Sequence, residues 1–253
     1  MNEGMTVAVT GGASGIGLAV AKTMAAKGCP VVIGDLDVAG LEAAKEEISV
    51  MAKGSISTYE VDVTSEEQVE GFIAAADSGE SRLGCLVTCA AIYRTCAFDE
   101  LDGETWDATA NVNLRGTVLA AAAASRRMRD GEGGSIVLFS SIDSLISEPA
   151  TAAYSAAKAA INSIARSMAV DLSKHKIAVN AIAPGWVLTP MTEEDLTGMP
   201  ESAFAVVNPL LRAARPEEIA EVVRYLALDA PAFLTGSTLF VDGGQSAMAP
   251  MPA

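Results

Sequence analysis

The chain contains one histidine, His175, and four cysteines, Cys29, Cys85, Cys89 and Cys96, with no C-x-x-C pair among them. Zinc sites draw on Cys and His at short spacings, so no metal is expected and the thiols read as reduced, structural groups. A Ser-His-Asp or Cys-His mechanism would rest on His175 alone, which stands in DLSKHKIAVN as a solvated residue at a helix end. Basic residues are also scarce, 17 against 32 acidic, for a formal net charge of −15. Nucleic acid and anionic membrane reward basic patches and are therefore not expected partners. No apolar run approaches the roughly 18 residues that a membrane span needs. The opening MNEGMTVAVTGG enters a strand at once and leaves no room for a signal peptide, so a cytoplasmic location is expected. Repeats and low-complexity linkers are missing too, and the 253 residues are expected to form one domain.

Hydrophobic residues make up 50% of the chain, ample for a large core, and a charged fraction of 19% argues against disorder. The most informative stretch is SIDSLISEPATAAYSAAK, Ser141 to Lys158, which gathers a hydroxyl, a phenol and an ammonium. Tyr154 and Lys158 are one helical turn apart and share a face if the chain is helical from Ala152. The Ala-rich run AAYSAAKAAINSIARSMAVDL favours that helix, with Ile161, Ile164, Ala165, Met168 and Leu172 as its buried stripe. A phenol titrates near 10 and becomes a base near neutrality only if its anion is stabilised. A neighbouring ammonium stabilises it, which makes Tyr154 a candidate acid/base, with Ser141 placed to hold the oxygen that exchanges the proton.

Upstream, the strand MTVAVT runs into GGASGIG and then an Ala-rich helix. Gly11, Gly15 and Gly17 form a G-x-x-x-G-x-G turn whose bare backbone can approach a pyrophosphate at a helix N-terminus. The next strand, VVIGD, ends at Asp35, placed to bind the ribose hydroxyls of NAD and to repel the additional phosphate of NADP. Ser14 and Leu36 offer no base to offset that repulsion. Strands SISTYEVDV, CLVTCAA, GGSIVLFSS, IAVNAIAP and TLFVD follow, alternating with helices at LEAAKEEISVMA, after the cap-like Ser65, from Trp106 to Arg129, from Ala152 and at PEEIAEVVRYLALD. This alternation means βαβ units and a parallel sheet. Asn111 and Asn113 stand inside the fourth helix, where Asn is a poor helix former. Residues 184–215 form the longest aperiodic segment and are expected to bind substrate. The tail GGQSAMAPMPA carries no assignment.

TGGASGIG, Asp35, Asp62-Val63, NVNLRG, Ser141, Tyr154 with Lys158, and PGWVLT occur in one order along nearly the whole chain. In this the sequence resembles the single-domain short-chain dehydrogenase/reductases. The resemblance implies a doubly wound α/β fold with seven parallel strands in the order 3-2-1-4-5-6-7. It implies that Tyr154 is the acid/base, that Lys158 lowers its pKa and binds the nicotinamide ribose, that Ser141 holds the substrate oxygen and that Asn113 holds a relay water. Gly11, Ser14, Gly15, Ile16, Gly17, Asp35 and Leu36 would meet the adenosine and pyrophosphate, and Asp62 and Val63 the adenine. Cys89, Ala90, Ala91, Pro184, Gly185, Val187 and Thr189 would line the nicotinamide end. At the fourth strand Thr88-Cys89-Ala90-Ala91 replaces the usual Asn-Asn-Ala-Gly, which bears on how that strand is braced and how closely a ribose can approach Ala91. A homotetramer is the family's habit.

The expected activity is reversible NAD-linked oxidation of a secondary alcohol to a ketone. Asp143, Tyr93 and Trp186 are the expected substrate contacts, and Leu145, Leu188 and Met191 the expected walls. Asp143 reads either as the receptor of an amine or hydroxyl of the substrate or as a residue that caps a turn or pairs with Arg94. A reductase of carrier-bound 3-oxoacyl groups fits the same motifs but sits poorly with a charge of −15. A redox-inert dinucleotide sensor could dispense with the tyrosine and lysine that this chain keeps. An extended sugar-nucleotide epimerase needs more chain after Pro184 than is present.

Overall fold

In the computed structural model, residues 4–78, 81–200, 204 and 207–248 are described. The ends of the unassigned tail and of the first strand's approach, and part of segment 184–215, lie outside the described residues. The seven strands are β1 (Thr6–Thr10), β2 (Val31–Asp35), β3 (Ile56–Glu60), β4 (Leu83–Thr88), β5 (Gly134–Phe139), β6 (Ile177–Pro184) and β7 (Thr238–Val241). They form one parallel sheet in the order β3-β2-β1-β4-β5-β6-β7. The helices are α1 (Gly15–Ala26), α2 (Val38–Ser49), α3 (Glu66–Ala76), α4 (Gly103–Thr109), α5 (Thr117–Arg129), α6 (Ala152–Leu172), the single turn α7 (Glu193–Leu196) and α8 (Pro216–Arg224).

Strands sandwiched between two helical layers have no polar face, which is why the central ones read as unbroken apolar runs. Alternate residues feed two cores. Val7, Val9, Ile33, Val87, Val137 and Ile182 pack with α1, α2 and α8. Ala8, Val32, Leu86, Ile136, Leu138 and Ala181 pack with α3, α5 and α6 around Phe72 and Ile161. Burying a side chain of the size of Phe72 is worth about 1.5–3 kcal/mol. Helix starts follow local capping: Asp37 accepts from Gly40 N, Ser65 from Gln68 N and Asp102 from Thr105 N. Each satisfies an otherwise orphaned amide.

Three boundaries differ from the sequence reading in ways that matter. Capping by Asp37 starts α2 at Val38 rather than Leu41. The chain leaves the sheet after Thr88, so Cys89, Ala90 and Ala91 are loop residues, free to border a ligand. The helix expected from Trp106 to Arg129 is interrupted by a wide π-helical segment, Ala110–Gly116, between α4 and α5. A single insertion of this kind is typical of functional sites.

Candidate active site

Strand order reverses between β1 and β4, and in open parallel sheets the crevice at such a point is where ligands bind. Here it is a cleft of about 390 Å³ across the carboxyl ends of the strands. Its floor is the glycine turn. Gly11 and Gly15 adopt left-handed conformations, φ 68° and 54°. A Cβ on Gly17 would lie 2.0 Å from the Gly11 carbonyl oxygen, and one on Gly11 would lie 2.6 Å from Ala90 N. Only bare backbone fits. Ser14 caps α1 with extended backbone and keeps its hydroxyl uncommitted to the cap. The free amides of the first helical turn then face the cleft together with Ile16, an arrangement suited to a pyrophosphate.

The far end is set by Asp35, whose carboxylate accepts from Ala13 N at 3.1 Å and Asp37 N at 3.2 Å. It borders the cleft with Leu36, which is 66% exposed and available to touch an adenosine. Asp62 accepts from the amide and hydroxyl of Thr64, both at 2.8 Å, and presents itself beside Val63. Val63 in turn presses on Gly116, where a Cβ would meet it at 2.8 Å.

The opposite wall holds Cys89, Ala90 and Ala91, and Pro184, Gly185, Val187 and Thr189 close it from above. The unusual Thr88-Cys89 pair is braced through hydroxyls. Ala90 N donates to Thr10 Oγ1, and Phe139 N to Thr88 Oγ1, each at 3.4 Å. Burial pushes the Cys89 thiol well up, so it is an uncharged wall. Sequence reasoning missed Val61, Ile92, Val112, Phe139, Ser140, Pro190 and Thr192 in this lining, while Met191, expected as a substrate wall, borders it as well. Most contribute backbone or apolar surface, the Ser140 and Thr192 hydroxyls are spent on neighbouring protein atoms, and none carries a motif of its own.

Tyr154 and Lys158 share one face of α6, with Lys158 Nζ 5.4 Å from the phenol ring centre. The ammonium is buried at 3% exposure and donates to the Phe139 carbonyl at 2.9 Å, while Ser140 Oγ clamps the Lys158 carbonyl at 2.9 Å. Burial lowers Lys158 to about 8, opposed by Cys89 and Asp143. Ser141 sits beside the phenol and hydrogen-bonds it, and its Oγ accepts from Asp143 N at 3.1 Å. The expected lowering of Tyr154 by Lys158 is not what the protein alone produces. Burial raises the phenol above its ordinary value, Asp143 adds to that, and the Ser141 bond offsets only part of it.

Asn113 also departs from expectation. It is fully buried, and both ends of its amide are spent on Ile92, Oδ1 accepting from the amide and Nδ2 donating to the carbonyl, each at 2.8 Å. The side chain thus pins the loop after β4 and does not border the cleft, which leaves the relay role without support from the side chain. The interior Asn of the wide turn has its explanation in this clamp.

A second, smaller cavity of about 80 Å³ opens beyond Ser141 and Tyr154, bounded by Tyr93, Asp143, Glu148, Trp186, Met191 and Asp195 among others. The Tyr93 and Tyr154 rings meet edge to face at 5.0 Å. Leu145 and Leu188, expected as walls, stand in solvent at 58% and 50% exposure. Asp143 neither caps a turn nor pairs with Arg94: among the described residues its carboxylate takes part in no hydrogen bond or ion pair. Glu148 and Asp195 were missed, and nothing in their local sequence marks them. Among the described residues no group of His, Cys, Asp and Glu could hold a metal ion, and no helix is long and apolar enough to cross a membrane.

A glycine-floored crevice at the switch point, with a phenol, a hydroxyl and an ammonium at its inner end, defines an oxidoreductase that uses a nicotinamide dinucleotide. Comparison with known proteins agrees. The family profile described as enoyl-(acyl carrier protein) reductase matches residues 11–246. The chain is 36% identical over 243 residues to a cyclopentanol dehydrogenase of Comamonas sp., covering 95% of this chain and 96% of that protein. It is 34% identical to a 3-oxoacyl-(acyl-carrier-protein) reductase of Thermotoga maritima, covering 96% and 98%. The solved structure of a short-chain type dehydrogenase/reductase from Mycobacterium ulcerans superposes with a TM-score of 0.91 at 32% identity, over 95% of this chain and 89% of that one. The protein belongs to the short-chain dehydrogenase/reductase family.

Proposed function

We propose that the protein is an NAD-dependent dehydrogenase that interconverts a small secondary alcohol and its ketone. The observation that carries the reading is the meeting of the two cavities at Ser141 and Tyr154, which border both. A carbinol in the small cavity can place its oxygen between the two hydroxyls while its carbon faces the cleft. Tyr154 then takes the hydroxyl proton in oxidation and returns it in reduction, and Ser141 fixes the oxygen. The dinucleotide, when bound, supplies the hydride acceptor. Lys158 orients the ribose. NAD over NADP is supported by Asp35, whose carboxylate would face an added phosphate with only Leu36 beside it. The small volume of the inner cavity also supports a compact substrate over a carrier-bound chain.

Initial rates over a panel of secondary alcohols with NAD and with NADP test this directly. Reduced nicotinamide should form with NAD, and kcat/KM should favour NAD by about tenfold or more. Equal values for the two cofactors would overturn the NAD assignment. No turnover with any alcohol, alongside intact NAD binding, would overturn the dehydrogenase and favour a sensor. We further propose a homotetramer, since symmetric oligomers are the norm for soluble enzymes, with Val170 at 77% and Phe233 at 100% exposure as apolar side chains that an interface could cover. Light scattering at micromolar concentration should give four chain masses, and a monomer mass would refute it.

A further inference from the structure

The inner cavity has a one-sided charge. Asp143, Glu148 and Asp195 all border it, and no Lys, Arg or His does. Two of the three carboxylates are ordinary in their surroundings. Asp195 is exposed, and Glu148 is held in place by the Tyr93 hydroxyl at 3.4 Å and by the Trp186 indole. Asp143 is not ordinary. It is more than nine-tenths buried, at 7% exposure, faces the cavity, and its carboxylate has no hydrogen-bond or ion-pair partner among the described residues. An unpaired carboxylate in such a place is costly unless a ligand completes it. Two aromatic side chains, Tyr93 and Trp186, stand beside it, and aromatic faces attract cations.

We infer that the inner cavity receives an ammonium group, so that the substrate is an amino alcohol and the product the matching amino ketone. The inference rests on the alcohol dehydrogenase reading above. The ammonium would meet Asp143 at the cavity floor, with Glu148 held by Tyr93 and Trp186 as its second acceptor and Asp195 at the rim. A cavity of about 80 Å³, set against the roughly 10–15 Å³ that admits one water, takes a head group of a few heavy atoms. That matches a primary amine next to the carbinol. The net charge of −15 draws cations toward the surface and repels anionic substrates.

Three alcohols of nearly equal size separate the alternatives: 1-amino-2-propanol, 1,2-propanediol and 2-butanol, with lactate as the anionic control. With NAD, kcat/KM for the amino alcohol should exceed that for the diol and for butanol by at least about tenfold, and lactate should be the poorest. Asp143→Asn should erase the preference by raising KM for the amino alcohol about tenfold more than it raises KM for butanol. Calorimetry gives a second readout independent of turnover. Isopropylammonium should bind the NAD complex of the unmodified enzyme, and its affinity should fall about tenfold in Asp143→Asn and also in Glu148→Gln. Equal kcat/KM for the three neutral and cationic alcohols, or isopropylammonium binding that neither variant weakens, would overturn the cation site while leaving the dehydrogenase reading in place. Ammonium binding without turnover of any alcohol would keep the cation site and overturn that reading instead.

Discussion

The dinucleotide cleft and the inner cavity share a wall at Ser141 and Tyr154 but are made of different material. The cleft is shaped by backbone: glycines that exclude Cβ atoms, amides at the start of α1, and carboxylates such as Asp35 and Asp62 that already satisfy neighbouring amides. The cavity is shaped by side chains from three separated loops, and its central carboxylate is satisfied by none of them. A backbone-built site costs the fold little and constrains ligand shape. A site built on an unpaired charge costs stability and constrains ligand charge. Substitutions on the two sides of the shared wall should therefore differ in kind.

The largest effect is expected at the wall itself. Tyr154→Phe keeps the ring and its edge contact with Tyr93 but removes the transferable proton. Turnover should fall by about 10²- to 10⁴-fold with dinucleotide affinity nearly unchanged by calorimetry. Retention of more than a few per cent of kcat would assign the proton transfer elsewhere. Because burial holds the phenol above its ordinary value, the proton-bearing form dominates near neutrality. Ketone reduction should then be fastest at neutral pH and slow as the medium becomes alkaline, while alcohol oxidation should accelerate over the same range. Parallel profiles for the two directions would contradict this.

On the cleft side, Asp35→Ser combined with Leu36→Arg removes the repulsive carboxylate and adds a guanidinium fork for phosphate. The ratio of kcat/KM for NAD over NADP should shift toward NADP by about tenfold or more, with the alcohol preference untouched. A change in alcohol preference would mean that the two sites are not separable.

The smallest effect is the most diagnostic of the cavity. Burial, together with the charge of Glu148, raises Asp143 from 3.8 to about 6, and Lys158 opposes the shift. The native carboxyl therefore keeps a proton that the unfolded chain releases between those values, and the fold loses stability as pH rises from about 4 to about 6. Above 6 the whole deficit is present. Asp143→Asn should thus raise Tm by a few degrees at pH 7.5, with the gain shrinking to nothing by about pH 4. The facing groups, Glu148, Lys158, Tyr154 and Tyr93, remain in both proteins. A lower Tm at pH 7.5 would mean that Asp143 has an internal partner.

The same contrast explains what could be read in the chain. Gly11, Gly15, Gly17 and Asp35 are spaced by the geometry of one βαβ unit, so local sequence carries the cleft. Tyr154 and Lys158 are likewise fixed by a helical turn, and IAVNAIAP coincides with β6 from Ile177 to Pro184, where every residue but the half-buried Ala178 is buried. Glu148 and Asp195 are 47 residues apart, one on a loop and the other on the single turn α7, and only the three-dimensional course of the chain puts them in one cavity. Asn113 was legible as an oddity within a helix but not as a clamp on Ile92, because its partner is a backbone with no side-chain signature. The charge state of Tyr154 was misjudged for a similar reason: proximity to Lys158 is visible in spacing, whereas desolvation depends on everything around the ring.

The wide turn at Ala110–Gly116 has a consequence for how the chain tolerates insertions and deletions. It holds more residues per turn than the helices on either side, so it works as a phase adjuster between α4 and α5, letting each keep its own rotational setting. Deleting one residue there would yield a smoother and intrinsically better helix. It would also rotate Asn113 away from Ile92 by about a quarter turn or more, releasing the loop that carries Cys89 to Ala91 along the cleft. In this segment local regularity and a well-placed cofactor wall are mutually exclusive, and the chain has kept the irregular form.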